Sequence, residues 1–215
     1  MHTAIKCVLF DYGGVIADEG FRNGLFDIAR ANNLRPEAFH EDVCRSIAGS
    51  GYLTGQSDEA SFWSLLRREY GLAQTDGELR DEILGRFVLR PRMLGIVDRL
   101  RGHGVRVGMI SDQTNWLDEL DRRDGFLARF DPVFNSFHLH ASKHDGQLFD
   151  IAAERLGMAP RQLLLVDDNE GNTQRARQRG YAAIFYKDEQ SFMGELRKFF
   201  PKIFDPIKVK DPSGP

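Results

Sequence analysis

Short apolar runs rich in β-forming residues alternate with helical patterns along most of the chain, and this alternation constrains the fold more than any other feature. Such runs suit buried strands, and a helix between two strands allows them to pair in parallel. The sequence therefore predicts an α/β fold in which helices cover a parallel sheet. The predicted strands span residues 5–10, 105–110, 133–137, 163–166 and 182–186.

The interval from residue 18 to residue 89 contains helical stripes and no convincing strand. We therefore predict a helical insert at residues 18–89, with a core domain formed by residues 1–17 and 90–200. Residues 201–215 contain four prolines and few periodic apolar positions, which predicts an extended C-terminal tail. The four stripes are Phe21, Leu25, Ile28 and Ala29; Phe39, Val43 and Ile47 after Pro36; Phe62, Leu65, Leu66 and Tyr70 after Ser57 as N-cap; and Leu79, Ile83 and Phe87.

Charge and composition argue against several classes of protein. The chain has 29 Lys and Arg against 32 Asp and Glu, a net charge of −3, so it lacks the basic surface of a nucleic-acid binder. No apolar stretch approaches the roughly 20 residues of a membrane span, and the start of the chain lacks the pattern of a signal peptide. We expect a cytoplasmic protein whose Cys7 and Cys44 are reduced.

Polar residues follow the predicted strands at the points where ligands bind in parallel α/β sheets. Asp11 ends the first strand, Ser111 and Asp112 end the second, and Asp167 and Asp168 end the fourth. Lys143 lies a few residues beyond the third. A single acidic residue at a strand end is often a helix cap, but so many at one edge favour a ligand site. Converging carboxylates require a neutralising cation, and hard oxygen ligands suit Mg²⁺.

The order of four segments resembles the haloacid dehalogenase-like (HAD) hydrolase superfamily across nearly the whole chain. The first segment is residues 8–15, VLFDYGGV, and the second is residues 110–115, ISDQTN. The third is residues 142–145, SKHD, and the fourth is residues 165–172, LVDDNEGN. The resemblance implies a Rossmann-like core, and the insert at residues 18–89 is similar to the family's α-helical cap.

The resemblance also implies a role for each matching residue. Asp11 would be the nucleophile, and Ser111 and Lys143 would complete the catalytic set. Mg²⁺ would be held by Asp11, the carbonyl of Gly13 and Asp168, with Asp167 assisting. The phosphate would be bound by Gly14, Ser111, Asp112 and Lys143, and Asn172 would support the metal shell.

Two departures from the family pattern bear on the chemistry. Family phosphatases usually carry a second aspartate two residues after the nucleophile, where this chain has Gly13. Loss of a general acid typically costs roughly 10²–10⁴ in rate unless the leaving group is stable as an anion or another residue substitutes. The usual Lys-Pro of the third segment is Lys143-His144, and His140 replaces a usual glycine. His144 is one candidate for a substitute acid, and His138, His140 and His144 together suit a solvated loop better than a zinc site.

We expect an Mg²⁺-dependent phosphatase that hydrolyses a small phosphorylated metabolite through an aspartyl-phosphate, with sugar 1-phosphates as one candidate class. The insert would act as a lid, with hinges near Gly20 and residues 89–91, and would select the substrate through side chains such as Phe21, Arg22 or Tyr52. Two alternatives stay open. One is a dehalogenase on the same scaffold, and the other is a binding or regulatory protein with weakened catalysis.

Overall fold

A computed structural model describes residues 4–204 and places five parallel strands in one sheet. The sheet order is β3-β2-β1-β4-β5, so β1 occupies the centre. Phe10 pairs with Met109 on one side and Val166 on the other, so the chain leaves β1, β2 and β4 at the same edge. The predicted parallel α/β architecture is confirmed. The strands are Cys7–Phe10 (β1), Arg106–Ser111 (β2), Val133–Asn135 (β3), Leu163–Asp167 (β4) and Ala182–Phe185 (β5).

Between residues 20 and 84 the chain forms four α-helices joined by short connecting segments, as the apolar stripes predict. The third helix is capped by Asp58 and not by Ser57, since the Asp58 side chain accepts the Ser61 amide at 2.8 Å. The fourth helix ends before Phe87, which lies beyond it and is buried. These helices are Gly20–Ala31 (α1), Pro36–Gly49 (α2), Glu59–Tyr70 (α3) and Asp76–Leu84 (α4), with a short 3₁₀ turn at Tyr52–Thr54.

Helices also follow β2, β3, β4 and β5. The third strand is shorter than predicted because the Asn135 side chain accepts the Phe137 amide at 3.0 Å and begins a helix there. These helices are Pro91–Gly102 (α5, before β2), Trp116–Asp124 (α6), Ser136–Leu139 (α7), Gln147–Leu156 (α8), Glu170–Gln178 (α9), Glu189–Phe199 (α10) and Pro201–Phe204 (α11).

The first four residues of the predicted extended tail are therefore helical. Ile203 and Phe204 are buried, and the Arg99 guanidinium lies 5.1 Å from the centre of the Phe204 ring. Apolar contact and this cation–π interaction explain why Pro201–Phe204 stays on the core. The rest of the predicted tail, residues 205–215, lies outside the described residues.

Apolar side chains cover both faces of the sheet. Val8 and Phe10 belong to one cluster, which continues into the helical insert, whereas Cys7 and Leu9 belong to a second cluster beneath the other face. This alternation follows from the two-residue period of a strand. Because one apolar cluster spans sheet and insert, the division into core and cap domains stays a prediction. Between residues 4 and 204, no helix has the length and apolarity that crossing a membrane demands.

Candidate active site

Asp11 lies directly beyond the central strand and is only 8% exposed. Its amide donates to the Val166 carbonyl at 2.9 Å, which continues the β1–β4 pairing and fixes the backbone. Carboxylate oxygen Oδ1 accepts the Ser111 hydroxyl and the Tyr12 amide, both at 2.7 Å. The Asp11 carboxylate is thus oriented at the carboxyl edge of the sheet, with Ser111 beside it.

Lys143 is a fully buried cation whose Nζ lies between two of the carboxylates. The distance is 2.9 Å to Asp11 Oδ2 and 2.7 Å to Asp167 Oδ2. The Lys143 backbone is held on both sides, because its amide donates to Asp112 Oδ1 at 2.8 Å and its carbonyl accepts Arg175 Nε at 3.0 Å. These two hydrogen bonds stabilise the lysine loop although the family's usual proline is absent.

Asp11, Asp167 and Asp168 form the carboxylate cluster that the sequence predicts. One oxygen from each lies within 4.8 Å of the others. Gly14 makes room for this cluster: its φ is +74°, and a Cβ there would lie 2.0 Å from Asp168 Oδ2. Only glycine allows both this backbone conformation and this close approach.

Asp167 and Asp168 occupy different environments within the cluster. Asp167 accepts the Asn169 amide at 2.8 Å, the Asn172 Nδ2 group at 3.2 Å and the Lys143 ammonium. Asn172 is itself held by Arg175 Nη2, which donates to its Oδ1 at 2.7 Å. Donors therefore surround Asp167, which suits it to positioning Lys143 better than to binding a metal directly.

The charges of the cluster are strongly coupled. Burial raises the pKa of Asp11 to about 8, with Lys143 opposing the shift and Asp167 and Asp168 adding to it. Burial also raises the pKa of Asp112 and of Asp168. Burial alone would lower the pKa of Lys143, but the charges of Asp11, Asp167 and Asp112 outweigh it and raise that pKa. The cluster consists of hard oxygen donors, and its carboxylates outnumber its one ammonium group. Such a site fits a divalent cation, and a bound cation would favour the ionised forms of the carboxylates.

The cluster lies at the base of a cavity of about 610 Å³ between the sheet edge and the helical insert. Its floor contains six of the site residues predicted from the sequence: Asp11, Ser111, Asp112, Lys143, Asp168 and Asn172. Its roof is mainly apolar and comes from the insert and from α6. The apolar roof residues are Phe21, Cys44, Ile47, Ala48, Leu53 and Trp116, and the charged side chains of Glu19 and Arg45 line the cavity beside them.

Comparison with known proteins identifies the family. A sequence model described as haloacid dehalogenase-like hydrolase matches residues 5–180. The chain belongs to the haloacid dehalogenase-like hydrolase family. It is therefore an enzyme of the hydrolase class, and its sheet and flanking helices form the Rossmann-like core of that family. No curated protein sequence matches this HAD-like hydrolase at a significant level.

Solved structures of HAD proteins share the fold of this hydrolase. A HAD family enzyme from Bacteroides thetaiotaomicron superposes with a TM-score of 0.75 at 18% identity, covering 91% of this chain and 100% of the other. That enzyme has also been solved with magnesium and inorganic phosphate, a structure that matches with a TM-score of 0.65. A HAD phosphatase from Thermococcus onnurineus gives 0.62 at 21% identity, covering 91% and 98% of the two chains. L-2-haloacid dehalogenase from Xanthobacter autotrophicus with covalently bound chloropropionic acid gives 0.61 at 19% identity, covering 94% and 85%.

The three clustered histidines of this HAD-like hydrolase have separate environments. His138 Nε2 lies 2.9 Å from Asp118 Oδ2, and His140 Nδ1 lies 2.7 Å from the carbonyl of Thr54. His140 adopts a φ of +53°, a left-handed conformation that favours glycine and therefore explains why glycine is usual at this position. His144 is exposed at the rim of the cavity. Across residues 4–204, the carboxylate group that could hold a metal includes none of them.

Several residues at the site escape sequence reasoning. Arg175 carries no motif signal apart from its place three residues after Asn172 on α9. Trp116 and Glu19 also line the cavity. Of the predicted specificity residues, Phe21 lines the roof, whereas Tyr52 is fully buried and its hydroxyl donates to Asn115 Oδ1 at 2.7 Å. Tyr52 therefore anchors the insert to the core and is not among the cavity residues.

Proposed function

We propose that this HAD-like hydrolase is an Mg²⁺-dependent phosphatase that hydrolyses a small phosphorylated metabolite through an aspartyl-phosphate at Asp11. The observation that carries the proposal is the fully buried Lys143 ammonium between Asp11 and Asp167, beside the open carboxylate of Asp168. Phosphoryl transfer requires positive charge around the equatorial oxygens and a positioned nucleophile. The floor of the cavity offers both.

The donor set supports magnesium as the cofactor. Asp11 and Asp168 would hold the ion together with the carbonyl of Gly13, and Asp167 would assist through Lys143. When bound, the ion would neutralise negative charge on the phosphate and on the carboxylates around it. The Mg²⁺ and phosphate complex of the Bacteroides enzyme, which shares the fold, is in keeping with this assignment.

The residues around Asp11 account for binding and attack. An Asp11 carboxylate oxygen attacks phosphorus, and the resulting intermediate divides one difficult displacement into two easier steps. Ser111 and Lys143 each contact a different Asp11 oxygen, so both lie within reach of phosphate oxygens bound at that position. Gly14 and Asp112 are the other proposed phosphate contacts, and the Asp112 side chain also fixes the Lys143 backbone.

The cavity roof bears on the organic part of the substrate. Phe21, Ile47, Leu53 and Trp116 present apolar surface above the proposed phosphate position. This roof favours a small monoester with an apolar or aromatic face. Sugar 1-phosphates stay a second candidate class, because aromatic rings also pack against the faces of sugars, and the two classes can be compared in one substrate panel.

The chemistry of the cluster favours a phosphatase over a dehalogenase. Halide departure needs neither a metal nor a protonated leaving group, so it gives no reason for the Asp167–Asp168 pair beside the nucleophile. The tyrosine beside the nucleophile gives no support to a dehalogenase either. Tyr12 follows Asp11 directly, and its ring is stacked against Phe87 and Phe126 at centroid distances of 5.4 and 4.7 Å. The Tyr12 side chain therefore packs in the apolar core.

A phosphatase panel with and without Mg²⁺ tests the proposal. The wild type should hydrolyse aryl and sugar phosphates only with Mg²⁺, and Asp11→Asn should abolish turnover. Asp58→Asn is the matched control, because Asp58 caps α3 through the Ser61 amide at 2.8 Å and does not line the cavity. Hydrolysis that survives chelation, or an Asp11→Asn variant as active as Asp58→Asn, would overturn the proposal. Dehalogenation of 2-chloropropionate by the wild type would favour the alternative.

A further inference from the structure

Gly13 leaves a space in the site where family phosphatases carry a second aspartate. A Cβ built on Gly13 would lie 3.3 Å from Phe87 Cε1, 3.7 Å from Glu19 Oε1 and 3.9 Å from Gln113 Nε2. A side chain at residue 13 would therefore extend toward a carboxyl oxygen that Glu19 already places there. Gly13, Glu19 and Gln113 all line the cavity that contains Asp11.

The local fold explains how a residue six positions later returns to Gly13. The Tyr12 carbonyl accepts the amides of Ile16 and Ala17, both at 2.9 Å, which closes a tight turn after the nucleophile. Ala17 then forms single β-bridges with Gly13 and with Leu89. The chain consequently passes back over the site before α1 begins.

Glu19 uses its two carboxyl oxygens differently. Oε2 accepts the Arg22 amide at 2.7 Å, so the side chain caps α1 and its orientation is fixed. Oε1 is the oxygen that approaches the Gly13 position. The side chain is 25% exposed, so it is partly shielded from water yet open to the cavity.

We propose that Glu19 is the general acid–base of this hydrolase and replaces the aspartate that is absent at residue 13. This inference rests on the proposed phosphatase function. Gln113, the other polar side chain at the Gly13 position, has an amide that neither ionises nor serves as a general acid or base near neutral pH. His144 is exposed at the rim, and among the described residues no hydrogen bond holds its ring. Glu19 is both fixed and ionisable.

The two steps balance with Glu19 as proton carrier. In the first step an Asp11 oxygen forms a bond to phosphorus, the bond from phosphorus to the leaving oxygen breaks, and that oxygen takes a proton from Glu19. In the second step a water oxygen bonds to phosphorus as the Asp11 oxygen departs, and Glu19 takes a proton from the water. The products are the alcohol and inorganic phosphate, and both carboxyl groups return to their starting states.

The charges around Glu19 support this role. Burial raises the pKa of Glu19, while the Arg22 amide and guanidinium oppose the shift. A raised pKa increases the protonated fraction that the first step requires near neutral pH.

Glu19→Gln tests the proposal, because a glutamine can still accept the Arg22 amide but cannot release a proton. The substrates are 4-nitrophenyl phosphate, whose leaving group needs little help, and phenyl phosphate, whose leaving group needs a proton. With Mg²⁺ present, Glu19→Gln should lose roughly 10²–10⁴ in kcat/KM on phenyl phosphate and distinctly less on 4-nitrophenyl phosphate. With 4-nitrophenyl phosphate, acid quenching should also trap more phosphoenzyme in Glu19→Gln than in the wild type, since the second step loses its base while the first step is little affected.

Glu78→Gln is the matched control, because Glu78 also caps a helix, α4, but does not line the cavity, and this variant should behave like the wild type on both substrates. The proposal fails if Glu19→Gln matches the wild type on phenyl phosphate. It also fails if both substrates slow equally with no accumulation of phosphoenzyme, because Glu19 would then serve only to cap α1. A wild type without Mg²⁺-dependent hydrolysis of either substrate would overturn the proposed function and this inference together.

Discussion

Gly14→Ala should damage the metal site of this hydrolase far more than its fold. The new Cβ would lie 2.0 Å from Asp168 Oδ2 and 2.3 Å from Asp168 Cγ, and contacts below 3.0 Å do not occur with real Cβ atoms. The Asp168 carboxylate must therefore retreat by about 1 Å or more, and displacements of that size at a reacting centre can cost roughly 10²-fold in rate.

The matched control for this variant is Gly125→Ala. Gly125 ends α6 with a φ of +64°, close to the +74° of Gly14, but a Cβ there meets nothing within 4 Å. Both variants carry the cost of a left-handed alanine, about 1–2 kcal/mol of unfolding free energy. Gly14→Ala alone displaces a proposed metal ligand, so its Mg²⁺ affinity should fall at least about tenfold.

Urea unfolding and Mg²⁺ titration of the phosphatase activity separate these two effects. We expect similar losses of stability without metal, and a loss of Mg²⁺ affinity confined to Gly14→Ala. Wild-type Mg²⁺ affinity in Gly14→Ala would refute the reasoning that Gly14 is required to seat Asp168.

Three other variants or reagents examine separate parts of the structure. Lys143→Met leaves Asp11 and Asp167 buried without their shared cation, so the free energy of unfolding measured in urea should fall by about 3–5 kcal/mol. The control Lys198→Met replaces an exposed lysine and should change the free energy of unfolding little. Equal losses in the two variants would contradict the assigned pairing. Tyr52→Phe removes the hydroxyl that donates to Asn115, so hydrogen exchange at Tyr52–Thr54 should accelerate relative to Tyr70→Phe, and unchanged exchange would argue against this contact as an anchor. Burial raises the pKa of Cys44 to about 11 from 9.0, so its alkylation at pH 8 should be roughly 100-fold slower than that of a model thiol, and rapid alkylation would contradict a shielded thiol.

Much of the fold and the floor of the site can be predicted from the sequence because both depend on local patterns. Buried strands produce continuous apolar runs, and parallel strands leave a sheet at one edge. Asp11, Ser111 and Asp167 consequently meet once the strands pair in register. The closeness of Lys143 to Asp11 follows from the family resemblance, and the structure confirms that the two groups are in contact.

The rest depends on contacts that a linear pattern does not encode. The position of Glu19 is set by the Tyr12 turn and by the bridge between Ala17 and Leu89, which are far apart in sequence. Arg175 lies on α9, whose buried positions are mostly polar or small and give no apolar stripe. From the sequence alone, Tyr52 could line the cavity or anchor the insert to the core. Its hydrogen bond to Asn115 decides for the anchor.

Trapping the phosphoenzyme tests the central claim most directly, since the account depends on transfer of phosphate to Asp11. Wild-type protein would be quenched in acid during turnover of 4-nitrophenyl phosphate with Mg²⁺, reduced with borohydride and mapped by peptide mass spectrometry. We expect homoserine at residue 11, formed by reduction of the acyl phosphate, and none in Asp11→Asn. Modification at another residue, or rapid turnover with no trapped acyl phosphate in either the wild type or Glu19→Gln, would contradict the account.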